Sequence, residues 1–110
     1  MEYIAAVNRK DFKSARTYLS DNVFYRGPTG MGRFDKAEPY LKYLEHLDLY
    51  LDVKKVFVEG NDVCEFHEPK GKVNDTQPDP LLVSMWFHVD DGKISSIRIV
   101  FDPRPYLREN

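Results

Sequence analysis

The stretch from Leu81 to Pro103 constrains the fold more than any other part of the chain. LLVSMWFHV is dense in β-branched and aromatic residues, Asp90-Asp91-Gly92-Lys93 reads as a turn, and ISSIRIVFD is a second strand stopped by Pro103. Side chains alternate along a strand, so Val83, Met85, Phe87 and Val89 share one face, and Ser84, Trp86 and His88 the other. On the second strand Ile97, Ile99 and Phe101 lie opposite Ser96, Arg98, Val100 and Asp102. A hairpin with one wholly apolar face cannot leave that face in water, so the rest of the chain has to cover it.

The cover is helical. Tyr3, Ile4 and Val7 in EYIAAVN fall at helical spacing over residues 2–8. Asp11 suits the N-cap of a second helix, FKSARTYL, which would bury Phe12, Ala15, Tyr18 and Leu19 before Ser20-Asp21-Asn22 breaks it. Val23 to Arg26 is a short strand, and GPTGMGRF is too rich in Gly and Pro to be other than a loop. A third helix starts at Asp35 or Glu38 and ends near Leu47. Pro39 favours the later start, and Tyr40, Leu41, Tyr43, Leu44 and Leu47 form the apolar face. Leu49–Glu59 is a long strand, Gly60-Asn61 a tight turn, and Val63–Glu68 the strand returning against it. PKGKVNDTQPDP is a polar loop, and RPYLREN a tail. Helices early and strands late indicate an α+β fold: a curved antiparallel sheet of four to six strands, coned around three N-terminal helices.

One domain is expected over residues 1–110, without repeat or linker. A chain of this length buries roughly 65% of its unfolded surface, enough for a core without staples. A net charge of −2 with no basic stripe gives nucleic-acid binding no electrostatic support. Cys64 is the single cysteine, which points to a reducing compartment. Neither a signal peptide nor a membrane-length apolar run is visible, so a cytoplasmic location is expected. Three scattered His and one Cys give no metal-ligand spacing. GPTGMG lacks the Lys-Ser/Thr ending of a phosphate loop, and no cofactor is indicated.

Several words in order resemble the SnoaL-like family of the nuclear transport factor 2-like superfamily, relatives of ketosteroid isomerases and polyketide cyclases. They are Tyr3-Ile4-Ala5-Ala6-Val7-Asn8, Asp11-Phe12, Leu19-Ser20-Asp21-Asn22-Val23, Gly27-Pro28-Thr29-Gly30, Val58-Glu59-Gly60-Asn61-Asp62-Val63, Asp91-Gly92-Lys93-Ile94 and Phe101-Asp102-Pro103. The resemblance implies a cone-shaped fold with a ligand pocket between sheet and helices, and commonly a homodimer through the outer sheet face. It enters that family's first helix near its middle, which implies a truncated first helix or a thinner pocket wall. It implies no single reaction. Of the three groups the steroid isomerases use, only Tyr3 matches. Their base position falls on Gly27 and their second donor position near Met85, so that activity is not expected. The Asp-Arg-Asp chemistry of the related epoxide hydrolases is disfavoured too, because Arg98 and Asp102 alternate away from the presumed interior.

The remaining polar candidates depend on the phase of one strand. If Val63 faces inward, so do Glu65 and His67, and a carboxylate beside an imidazole in an apolar cavity is an acid–base pair. Tyr3 and Tyr25 would then add phenol donors, with Met85, Phe87, Ile99 and Gly27 at the ligand. If Cys64 and Phe66 face inward instead, the pair is solvated surface, since a one-residue slip flips every side chain. Trp86, His88 and Arg98 on the outer face read as a homodimer contact. His46, late in the third helix, suits the helix dipole. The functional expectation is a module binding a small, mainly apolar organic molecule, with isomerase, cyclase or hydratase chemistry as one reading. A ligand-holding module without turnover and a dimerisation module are the others.

Overall fold

A computed structural model describes residues 1–28, 32–72 and 82–102. Most of the polar loop after Lys72, the tip of the Gly-Pro loop and the RPYLREN tail lie outside the described residues. The chain runs α1 (Glu2–Asn8), α2 (Phe12–Thr17), β1 (Leu19–Arg26), β2 (Arg33–Phe34), α3 (Ala37–His46), β3 (Asp48–Glu59), β4 (Asp62–Lys72), β5 (Val83–Asp90) and β6 (Lys93–Val100). Six strands form one open, curved sheet in the order β2-β1-β6-β5-β4-β3, with three helices, an α+β fold. Helix α1 contributes Tyr3, Ile4 and Val7 to the core, and α3 contributes Ala37, Tyr40 and Leu41. On the sheet they meet Val23, Tyr25, Met85, Phe87, Ile94 and Ile97.

Local chemistry explains the turns and caps. Asp11 caps α2, its carboxylate accepting from the Ser14 N–H at 3.1 Å. Asp91 and Gly92 sit at φ 51° and 75°, the left-handed pair that joins two right-twisted strands. Asp tolerates that region, and Gly adopts it without strain. The pairing of β5 with β6 shifts between His88 and Val89, and the extra residue lets Ile94 and Ile97, three apart, both turn inward.

Several expectations are corrected, among them the GPTGMGRF loop, whose last two residues, Arg33 and Phe34, form β2 against β1. Helix α2 ends at Thr17, short of the expected Leu19, and Ser20-Asp21-Asn22 lies within β1 instead of being the break that ends the helix. These turn-formers fall where the β1–β6 register is irregular, between Leu19 and Phe24, so they occupy unpaired backbone. The sheet is also not wholly antiparallel. β1 pairs with β6 in parallel, which the long crossover through α3 and the β3–β5 meander allows. The returning strand β4 runs on to Lys72, beyond the expected end at Glu68.

Candidate functional site

Four tyrosines converge between the helices and the sheet. Tyr3 comes from the inner side of α1, Tyr25 from β1 in phase with Val23, and Tyr40 and Tyr43 from α3, three residues apart on one helix face. The Tyr3 and Tyr40 hydroxyls lie 2.6 Å apart. The Tyr25 ring stacks on Tyr40 with centroids 4.5 Å apart, and its phenol is hydrogen-bonded to that of Tyr43. Phe34 completes the aromatic group, 5.1 Å from Tyr43. Around these rings lies a cavity of about 80 Å³, walled on the sheet side by Val83, Met85 and Ile99. Among the described residues that line it, none is charged.

Burial pushes all four phenols above their ordinary pKa. For Tyr3 the hydrogen bond with Tyr40 acts against that rise without cancelling it, and for Tyr25 and Tyr40 the neighbouring phenols add to it. At neutral pH the cluster is therefore uncharged, and each hydroxyl keeps its proton.

Strand β4 settles the open phase. Glu65 and His67 are both fully buried, and Cys64 and Phe66 turn to the other face. The Glu65 carboxylate accepts from His67 Nε2 at 2.8 Å and from the Met1 amino group at 3.3 Å. Burial raises the Glu65 carboxyl, but the His67 hydrogen bond and the Met1 ammonium outweigh it and hold the group below its ordinary range. Nε2 faces Glu65, and the other ring nitrogen, Nδ1, points away from it. It is buried without a hydrogen-bond partner among the described residues.

Of the residues singled out in the sequence, Tyr3, Tyr25, Met85 and Ile99 line the cavity together. Glu65, His67, Phe87 and Gly27 do not. Phe87 is core, edge-on to the Tyr3 ring at 6.0 Å, and Gly27 donates its N–H to the Gly32 carbonyl at 3.2 Å. Glu65 and His67 sit beside the cavity, paired in register with Met85 and Val83, which do line it. Arg98 lies on the outer face, its guanidinium 5.2 Å from the Phe24 ring and 5.6 Å from that of Trp86. Sequence reasoning placed Tyr40 and Tyr43 on an apolar helix face and went no further. The signal was there: a buried Tyr needs a partner for its hydroxyl, and two on one face imply a polar meeting point. Among the described residues no group of His, Cys, Asp and Glu could hold a metal ion.

The family described as the SnoaL-like domain matches residues 1–97. The chain belongs to the SnoaL-like domain family. An NTF2-like protein of unknown function from Cytophaga hutchinsonii is 34% identical to this SnoaL-like chain, covering 94% of it and 87% of its own length at a TM-score of 0.83. An LEH-like epoxide hydrolase from M. tuberculosis shares the fold at 19% identity, with 94% and 80% of the two chains covered and a TM-score of 0.79. TerC, crystallised with polyporic acid, shares it at 18% identity, 93% and 87% covered, TM-score 0.80. No curated protein matches the chain.

Proposed function

We propose that this SnoaL-like chain binds a small, uncharged, mainly apolar organic molecule in the tyrosine-lined cavity. The observation that carries this reading is the lining itself: apolar walls, neutral phenols and no charged side chain among the described residues. Proteins of the same fold whose names refer to epoxide hydrolysis or to bound polyporic acid support it at the level of architecture.

For chemistry, we propose that Glu65 and His67 form the acid–base pair of an isomerisation, cyclisation or hydration. Glu65 fixes the imidazole tautomer, His67 Nδ1 takes or returns the proton, and Tyr3 or Tyr25 donates to the ligand. A second reading is favoured by one observation. The pair stands behind the cavity wall and not in it, as expected of a ligand-holding module whose buried dyad is structural. We further propose a homodimer through the outer sheet face around Trp86, His88 and Arg98, and a cytoplasmic location.

Thermal melting with a panel of neutral cyclic ketones, alkenes and epoxides tests the binding. The expected outcome is a rise in melting temperature that grows with ligand concentration. No response across the panel would remove the cavity reading. NMR of the same mixtures looks for product. The acid–base reading requires that His67→Ala abolish turnover while the melting shift persists, and the second reading requires a shift with no product at all.

A further inference from the structure

Strand β3 is the last in the sheet, and among the described residues no strand pairs with its outer edge. The Asn8 side chain occupies that edge at Leu51, and the Gly60-Asn61 turn ends it. The stretch between, residues 53–59, is exposed throughout and apolar on both faces. Val56 and Val58 lie on the helix side, in register with Glu65 and Val63, yet Val58 is 69% exposed. Phe57 projects from the outer face, in register with Cys64, and is 54% exposed. An open apolar edge of this kind is a template for another strand. A bulge and charged side chains ordinarily guard against that, and β3 has both, a register shift between Val53 and Lys55 and two lysines. Lys54 is engaged within its own chain, 2.9 Å from Asp52. Lys55 and Glu59 have no ion pair among the described residues.

From this we infer that the β3 edge pairs antiparallel with the β3 edge of a second copy of this chain, centred on Phe57, so that two sheets join into one. The sequence KVFVE matches its own reverse in that register. Phe57 stands opposite Phe57 of the partner subunit. Val56 stands opposite Val58 of the partner subunit on one face, and Lys55 opposite Glu59 of the partner subunit on the other. Directly opposed residues of an antiparallel pair share a face, so apolar meets apolar and cation meets anion, each twice by symmetry. Centring the pair on Val56 would set Lys55 against Phe57, and centring it on Val58 would set Glu59 against Phe57. Neither leaves a charge pair, and a slip of one residue turns the valines to the wrong face. The contact goes beyond the proposed outer-face dimer and does not need it. With that dimer formed the edge joins two dimers, and without it two monomers. A five-residue ladder buries little surface, so the association is weak and concentration-dependent.

Sedimentation of the full chain from about 10 µM to about 1 mM reads the contact as an association step that doubles the mass. Lys55→Glu and Glu59→Lys each set like charges opposite one another at both symmetric positions. Each is expected to weaken the step roughly five- to thirtyfold. The double variant, with the two charges exchanged, associates like the unaltered protein. So does an equimolar mixture of the two single variants, because each altered position then meets an opposite charge. A folding defect could not be repaired by mixing, and both positions are exposed, so melting temperatures are expected to stay close to that of the unaltered protein. Absence of any association step in the unaltered protein overturns the inference and leaves the edge to a strand of another protein. A step that both single variants keep at full strength overturns it too, and assigns the association to another surface. A mixture that associates no better than its components likewise overturns the Phe57-centred register. Trp86→Glu separates this contact from the proposed outer-face dimer, since the step is expected to survive that substitution.

Discussion

His88 shows how much one residue's neighbours decide. Its Nδ1 lies 2.8 Å from Asp62 Oδ1, and its Nε2 lies 3.4 Å from Asp90 Oδ1. The same Asp62 oxygen accepts from the Trp86 indole N–H at 2.8 Å. The Asp62 hydrogen bond raises the His88 pKa, and those from His88 and Trp86 lower that of Asp62. The raised imidazole contributes stability that is fully present below its ordinary pKa and lost as pH climbs through the raised value. The lowered carboxyl contributes above its ordinary pKa and loses that as pH falls through the lowered one. The cluster therefore contributes fully between the ordinary carboxyl and the ordinary histidine pKa, and weakens as pH passes outward through either folded-state value. Trp86 is the single tryptophan, so its fluorescence reports on the cluster directly. The expected titration has an alkaline step displaced upward from free histidine, and His88→Gln removes it. A step at the ordinary histidine pKa would contradict the geometry.

At the scale of elements, β3 is an edge strand, and Asn8 at the end of α1 hydrogen-bonds its backbone. The Asn8 amide donates to the Leu51 carbonyl at 3.0 Å and accepts from the Leu51 N–H at 2.7 Å, standing in for a neighbouring strand. Asn8→Ala leaves both backbone groups without their partner and is expected to cost about 1–3 kcal/mol in denaturant unfolding. Asn8→Asp keeps the acceptor, loses the donor and should fall between the two. The sequence shows Asn8 as the end of a helix and nothing more, because its partner lies 43 residues away. By contrast, the Asp11 cap and the Asp91-Gly92 turn were readable, since each is decided within four residues.

Across the whole molecule, the outer sheet face exposes Phe57, Trp86 and Val100, the last two at 48% and 70%. Large apolar groups gathered on one face are costly in water, which is the physical ground for the proposed dimer. The expected result is dimeric sedimentation of the unaltered protein, with Trp86→Glu shifting it to monomer. A monomer at all concentrations would leave that face to another role. The chain's own alternation determined which sides of β5 and β6 are apolar, where three helices form, and the α+β order, because these depend on near neighbours. The phase of β4 was open in V-C-E-F-H-E, where apolar and polar residues occupy both phases. Register against β5 closed it, since Glu65 opposite Met85 and His67 opposite Val83 must share the buried face. The meeting of Tyr3 with Tyr40 across 37 residues, and the placing of the Glu65–His67 pair behind the cavity wall instead of in it, were likewise fixed by packing alone. Contacts between distant elements depend on how whole helices seat on a bent sheet, and no local pattern of residue types carries that information.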